Sequence, residues 1–451
     1  MRPPTAGRGR DELRVAGREL RRRIPHSGHG LWPPPGDRPD PIELLEATNR
    51  TRLADLVPVR HGRMVQSPFA FYRGAPLVMA SDLSRTASTG IKLQICGDAH
   101  LLNFGTYATP ERNMVFDLND FDETQVGPWE WDVKRLAASL VVAARTSGLT
   151  TSDGVHAVHA GATAYRSRMA MMAEQSSFEV WHARIDVDAV VDAAPTRQTR
   201  AVVKKTVARA RQHNSLQGLS KLTTVRDGRR MIVEDPPLIV RLGDDEVEQA
   251  FRFARAYRST LEADRRLLLD RYEFVDAARK VVGVGSVGTR CYVVLLAGVA
   301  DLDPLFLQIK EAQPSVLSSF AGRSPYRNQG QRVVVGQRIM QAASDVFLGW
   351  ARADGFDTYV RQLRDMKGSA DIDDSTPSGL AAYGRLCGAT LARAHARSGD
   401  PALLAGYLGD ESTFDEALGR FAVAYADQTE RDHEAFARAV NDGRLEAVDG
   451  R

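Results

Sequence analysis

The 451 residues carry 60 Lys and Arg against 57 Asp and Glu, a formal charge of +3, with 43% hydrophobic and 26% charged residues. That balance excludes a disordered or fibrous chain, and no apolar run approaches the roughly 18 residues of a membrane span. The length points to two or three packed units.

Cys96, Cys291 and Cys387 are odd in number and far apart, so neither a zinc spacing nor a disulfide framework is expected. The first residues lack the apolar stretch of a secretory signal, and the expected setting is reducing and cytoplasmic. Residues 1–30 hold eight arginines against three acids without interleaved aromatics. They read as a basic, flexible leader over 1–38, ending in the stiff Pro33-Pro34-Pro35, rather than as a nucleic-acid binder.

A helix is expected from Pro41 to Leu53, with proline in its first turn. Strands are expected at Phe69–Tyr72, Ile91–Cys96 and Met114–Leu118. Apolar residues at three-to-four spacing predict a helix from Trp131 to Ala144, and another follows over Gly154–Met172. Ala189–Arg211 reads as a partly basic helix. Pro236-Pro237 excludes a regular central strand over Ile232–Val240. A strong helix is expected from Asp245 to Phe274. Val281–Ala297 and Leu305–Lys310 read as strands joined by a turn at Ala300–Pro304. Next come a helix at Gln331–Ala343, strands near Phe347–Trp350 and Thr358–Leu363, and helices at Leu380–Ala396 and Phe414–Ala439. The units are then a 39–275 segment with a helical extension, a strand-rich 276–367 segment, and a helical 368–451 segment.

The stretch Cys96-Gly97-Asp98-Ala99-His100-Leu101-Leu102-Asn103 is followed by Asp117-Leu118-Asn119-Asp120-Phe121-Asp122. Phosphoryl transfer needs an oxygen base to orient a hydroxyl and oxygen ligands for magnesium. Asp98 suits the first role, with Asn103 and Asp120 suiting the second and Asp122 a further ligand. Asp117 competes with Asp120 if the strand register slips. His100 reads as an orienting residue, Asp132 as an acceptor of backbone hydrogen bonds from the loop, and Trp129 and Trp131 as packing residues. Acids crowded together call for a cation, since otherwise they raise one another's pKa.

Gly283-Val284-Gly285-Ser286-Val287-Gly288 leads into a strand-forming run, not a helix. That disfavours a dinucleotide fingerprint, and no Gly-Lys-Ser or Gly-Lys-Thr makes it a Walker loop. A hairpin lying over ATP phosphates fits better. Lys310 then ends an apolar strand, where a phosphate would compensate its burial.

The first segment resembles the His-Gly-Asp-x-His-x-x-Asn loop of the protein-kinase-like superfamily, particularly aminoglycoside phosphotransferases and choline kinases, with Cys96 in place of the first histidine. The resemblance implies Asp98 as catalytic base, Asn103 and Asp120 as metal ligands, and Lys310 with Gly283, Gly285, Ser286 and Gly288 on ATP. The motif order is reversed relative to kinases, which implies an α+β, two-lobed, circularly permuted fold. Its strand-rich small lobe would sit between helical segments of the large lobe, and Gly388–His395 resembles the helix that precedes the catalytic loop. More closely, the chain after the leader resembles the bacterial domain of unknown function family 2252, through Ser67–Gly74, the acidic segment and Val281–Lys310. The kinase lysine normally meets a helix glutamate, yet 312–344 contains no acidic residue. Glu311 or a glutamate from the helix before Phe274 would have to serve.

The expected function is ATP- and Mg2+-dependent phosphoryl transfer to a small-molecule or protein hydroxyl. A regulatory nucleotide-binding protein and a nucleotidyltransferase are the alternatives. Arg60, Arg63 and Arg73 are candidate acceptor contacts, and Arg323, Arg327, Arg332 and Arg338 candidate anion contacts.

Overall fold

The computed structural model describes residues 7–192, 215–226, 229–299, 303–363 and 375–448, with 204, 208, 367, 368 and 372. It is an α+β fold of helices and antiparallel sheets. Most of the Ala189–Arg211 helix and part of the Ala300–Pro304 turn lie outside the described residues.

The basic N-terminal segment is not a detached leader. Arg10–Arg23 forms helix α1, whose Leu13 is buried with Ala173 and Ala402. It crosses the late helix Pro401–Leu408 so closely that a Cβ on Gly17 would collide with the Leu403 carbonyl. The following turns are also bound in. Trp32 is buried against Tyr425, and Arg38 bridges Asp82 and Asp432.

Four short helices come next: α2 (Pro41–Asn49), α3 (Val57–Met64), α4 (Pro68–Gly74) and α5 (Pro76–Leu83). The expected strand at Phe69–Tyr72 is therefore helical. Ser67 caps α4 by accepting from the Ala70 N–H at 3.1 Å, and Pro68 supplies a preset first turn. Phe69, Phe71 and Tyr72 are all buried, so tertiary packing overrides their β preference.

The pairs β1 (Lys92–Ile95) with β4 (Gln125–Pro128), and β2 (Phe104–Ala108) with β3 (Met114–Leu118), carry the acidic segment in their connections. Helix α6 (Trp129–Thr146) follows directly and is buried from Trp129 to Ala144, with α7 (Thr151–Met172) packed on it.

The expected Asp245–Phe274 helix is interrupted. Helix α8 (Asp244–Ser259) ends at Thr260, a second short helix spans Ala263–Leu269, and Phe274 already lies in a strand. Strong helix formers do not by themselves mark an end. Here Thr260 turns its hydroxyl to the Trp350 carbonyl at 2.7 Å.

Six strands make the main sheet: β7 (Ile239–Arg241), β8 (Glu273–Lys280), β9 (Cys291–Ala297), β10 (Pro304–Glu311), β11 (Gly349–Ala353) and β12 (Phe356–Gln362). A small hairpin of β5 (Thr223–Arg226) and β6 (Arg229–Ile232) stands outside it. The sheet order is β11-β12-β10-β9-β8-β7, with every pairing antiparallel.

Period-two alternation separates the faces of the sheet. Tyr292, Val294, Leu307 and Ile309 pack against Phe253 and Tyr257 of α8. Val293, Leu295 and Phe306 pack on the other face with Leu219 and Leu222. Lys310 pairs in register with Cys291 and Tyr359. Helix α9 (Gln329–Met340) precedes β11, and α10 (Pro377–Ala396), α11 (Pro401–Leu408) and α12 (Thr413–Asn441) complete the helical body.

Candidate functional site

The loop after β1 is shaped by Asp132 in the first turn of α6. Its two carboxylate oxygens accept the N–H groups of Cys96 at 2.7 Å and Gly97 at 2.8 Å. Gly97 adopts φ 84°, and a Cβ there would collide with the Glu123 carbonyl. Glycine alone fits this turn. His395 of α10 reaches the same carboxylate at 3.2 Å.

Asp98 is next. Its Oδ1 accepts from Arg135 Nε at 2.8 Å, with Nη2 also 2.8 Å away. Oδ2 lies 3.9 Å from His100 Nε2. Burial drives His100 down to about 3, against the opposing pull of Asp98, so its imidazole is neutral near pH 7. The Asp98 side chain remains 22% exposed.

Asn103 staples this loop to the one after β3. Its amide donates to the Asp98 carbonyl at 3.0 Å and the Asp120 carbonyl at 2.9 Å, and its own carbonyl accepts the Asp120 N–H at 2.7 Å. Cys96, standing where the kinase pattern has histidine, donates its thiol to the Asp120 carbonyl. Burial pushes that thiol well above its ordinary pKa.

Asp117 and Asp120 lie in different surroundings. Asp117 is fully buried, ion-paired with Arg393, and accepts the Ala342 N–H at 2.8 Å. Asp120 has a side chain 43% exposed, and its Oδ1 is buried without a hydrogen-bond partner. The neighbouring Asn119 Oδ1 is likewise unpartnered. Asp122 differs from both. Its Oδ2 meets Lys310 and accepts from Ser286 at 3.1 Å, while Oδ1 accepts from Tyr359 at 2.7 Å.

Lys310 is only 1% exposed, and Asp120 Oδ2 lies 3.6 Å from its ammonium. Burial alone would lower its pKa, but Asp120 and Asp122 outweigh burial and raise it. Burial opposes ionisation of Asp122, yet Lys310 and Tyr359 hold it below the usual carboxylate range. Neither expected glutamate serves here: Glu311 turns to Arg290 at 3.2 Å, and the helix partner is replaced by Asp122.

The glycine segment is the β8–β9 connection, as expected of a hairpin, with positive φ at Gly283 and Gly288. The N-terminal helices hold it from outside. Leu53 N–H donates to the Gly288 carbonyl at 2.7 Å, and Arg52 donates to that of Val287.

One cavity of about 340 Å³ is lined by Asp98, His100, Asn103, Asp120 and Asp122 together with Gly283, Gly285 and Ser286. Gly288 and Lys310 bound the region through Arg52 and Asp122 without lining the cavity. Among the described residues, no three His, Cys, Asp or Glu side chains form a metal-holding group.

A family model matches residues 52–439. The chain belongs to the DUF2252 family. Its members are described as uncharacterized proteins conserved in bacteria. Neither a curated protein nor a solved structure matches the chain.

Four residues that this DUF2252 chain uses stand outside the motifs read from its sequence. Arg135 holds Asp98, and Tyr359 holds Asp122. Arg361 fixes the Asn119 carbonyl at 3.0 Å, and Arg52 pins the glycine hairpin. A signal existed for the first: Glu130, Asp132, Lys134 and Arg135 interrupt an otherwise apolar helix, and buried charges require partners. Arg332, a candidate anion contact, is instead spent on the Asp122, Thr124 and Gln313 carbonyls at 2.6–2.8 Å. The DUF2252 chain has no helix long and apolar enough to cross a membrane among its described residues, and its three cysteines are unpaired and buried.

Proposed function

We propose that the cleft performs ATP- and Mg2+-dependent phosphoryl transfer to a hydroxyl group, in a kinase-like, two-lobed and circularly permuted arrangement. One observation carries this reading: Lys310 reaches Asp122 across 188 residues, so the glycine-hairpin sheet and the Asp98 loop share one cavity.

In this reading Asp98 Oδ2 accepts the acceptor proton as its oxygen bonds to the γ-phosphorus. The bond from that phosphorus to the bridging oxygen breaks, and ADP leaves with the electron pair. Arg135 fixes Asp98 so that positioning dominates over basicity, as suits phosphoryl transfer. The backbone of the glycine hairpin binds phosphates, and Lys310, buried behind Asp122, supplies positive charge beside them.

The donor set fits a hard cation at Asp120, whose Oδ1 is buried and unpartnered, with the side-chain Oδ1 of Asn119 as a second free oxygen. Asn103 supports that position through its bond to the Asp120 N–H, and Asp122 has both oxygens engaged. Magnesium there supplies neutralisation of phosphate charge.

The test is transfer of label from ATP, with magnesium, to a library of hydroxyl compounds and proteins, alongside Asp98→Ala and Asp120→Ala. Transfer of the γ-label lost in both variants supports the reading. Wild-type rates in both variants reject it, and transfer of an α-label favours nucleotidyl transfer.

The engagement of Asp122 by Lys310, Ser286 and Tyr359 favours a second reading, in which the cleft binds nucleotide for regulation. That reading expects ATP binding with no Asp98-dependent product.

A further inference from the structure

The same cavity has a wall of opposite charge, lined by Arg52, Arg60, Arg73 and the first turn of α5. Three arginines elsewhere in this protein are matched by acids, Arg38 by Asp82 and Asp432, Arg135 by Asp98 and Arg393 by Asp117, whereas buried Arg332 is satisfied by backbone carbonyls. Among the described residues, no carboxylate forms an ion pair with Arg52, Arg60 or Arg73. The Nε atoms of all three are buried without a partner. Burial lowers the pKa of each guanidinium, outweighing the opposing pull of Glu123, Asp122 and Glu311 on Arg52 and of Asp98 on Arg73.

The helix end adds a second, independent source of positive potential. Ala75 caps α5 without a side-chain hydrogen bond, and Ala75, Pro76 and Leu77 line the cavity. Pro76 carries no N–H and that of Ala75 goes to the Tyr72 carbonyl, so this uncapped start presents the N–H groups of Leu77 and Val78 and the positive end of the helix dipole. Arg60 braces this corner by donating to the Gly74 carbonyl at 2.7 Å.

Arg52 and Arg73 adjoin the glycine hairpin, at the Val287 carbonyl and at Gly285, but Arg73 is also tied to the Asp98 side. Arg135, which holds Asp98, also donates to the Tyr72 carbonyl at 2.8 Å, so the chain enters Arg73 directly from the base's own partner. Arg73 is thereby anchored beside Asp98, where an acceptor hydroxyl must lie.

We infer that the acceptor is a small hydroxyl compound bearing an oxyanion, phosphate or carboxylate, which Arg73 and the first turn of α5 bind while its hydroxyl faces Asp98. The acceptor role rests on the phosphotransferase reading; the anion site rests on the wall itself.

The experiment uses the full chain and two probes, inorganic phosphate and acetate, followed by calorimetry, with ATP titrated separately. Transfer from labelled ATP is then compared across neutral, phosphorylated and carboxylated alcohols. Arg73→Ala should weaken binding of the preferred probe at least tenfold and leave ATP affinity within twofold, with Arg73→Lys recovering part of the loss. Leu77→Asp, which retains a favourable helix start but places a carboxylate at the site, should abolish probe binding even if Arg73→Ala folds poorly.

Preference for phosphate or for acetate, matched by the same preference among acceptors, identifies which oxyanion is carried. Probe binding indifferent to both variants overturns the site. Equal loss of ATP affinity in Arg73→Ala and Lys310→Ala assigns the wall to nucleotide and overturns the acceptor role. Neutral alcohols accepting label as well as anionic ones do the same. Arg73-dependent probe binding without any ATP binding retains the anion site and rejects the phosphotransferase reading.

Discussion

The ammonium of Lys310 is paired with the carboxylate of Asp122, its partner from 188 residues earlier in the chain. The pair joins β10 of the main sheet to the loop after β3, and so brings the glycine hairpin over the acidic segment. Tyr359, directly across from Lys310 in the sheet register, completes the contact from β12.

Lys310→Met should strand a carboxylate that Tyr359 and Ser286 alone cannot balance. The expected loss is about 3–5 kcal/mol in urea unfolding. Lys310→Met with Asp122→Asn should regain at least half of it, and a double variant no more stable than the single one would contradict the pairing. The signs for pH follow from both partners. The depressed Asp122 contributes above about pH 4 and loses its contribution as acid protonates it. The raised Lys310 contributes below about pH 10.5 and loses its contribution in stronger alkali. The pair therefore contributes fully across neutral pH.

Asp132→Ala should release the loop that presents Asp98. Two backbone N–H groups, those of Cys96 and Gly97, lose a charged acceptor in a buried place, an expected loss of about 3 kcal/mol. Label transfer should fall with it, while Asp132→Asn, which keeps one acceptor oxygen, should fall between. Hydrogen exchange at Cys96 and Gly97 checks the local effect.

Asp117 and Asp120 should separate structure from chemistry. Asp117→Ala leaves Arg393 buried without its acid and should destabilise by about 3–5 kcal/mol. Asp120→Ala removes a half-exposed side chain and should change stability by less than about 1 kcal/mol while removing the magnesium dependence of ATP binding. A large unfolding effect of Asp120→Ala with unchanged magnesium dependence would reverse these roles.

His29 and His100 should make the protein acid-sensitive. Burial holds both at about 3, well below the ordinary histidine value. Above about pH 6.5 both are neutral whether folded or not, and their contribution is complete. As pH falls from 6.5 toward 3 the unfolded chain takes up protons that the folded chain refuses, and stability declines. Between pH 6.5 and 5 the expected loss is roughly 2 kcal/mol per histidine. Denaturant melts at pH 7.5 and 5.0 should show it, and His100→Asn should flatten the difference by about half.

Much of the site was legible because its chemistry is local in sequence. Asp98 and Asn103 sit five residues apart on one loop, Asp132 opens the helix that holds that loop, and the glycines lead into a strand. What escaped was set by distant packing. Asp122 as the partner of Lys310 depends on strand register, which residue spacing does not reveal. The α1 helix has few apolar residues, and its docking relies on close approach at Gly17 rather than on a broad greasy face. Phe69–Tyr72 looked like a strand because its aromatics favour one, whereas the Ser67 and Pro68 pair was the better local signal.

The most direct test is calorimetric titration of ATP with and without magnesium into the wild-type chain, Lys310→Ala and Asp120→Ala. Wild type should bind ATP more tightly with magnesium, Lys310→Ala should weaken binding at least tenfold, and Asp120→Ala should bind alike with and without the ion. No ATP binding by wild type, or undiminished binding by Lys310→Ala, would contradict a nucleotide site formed by the hairpin and the acidic loops.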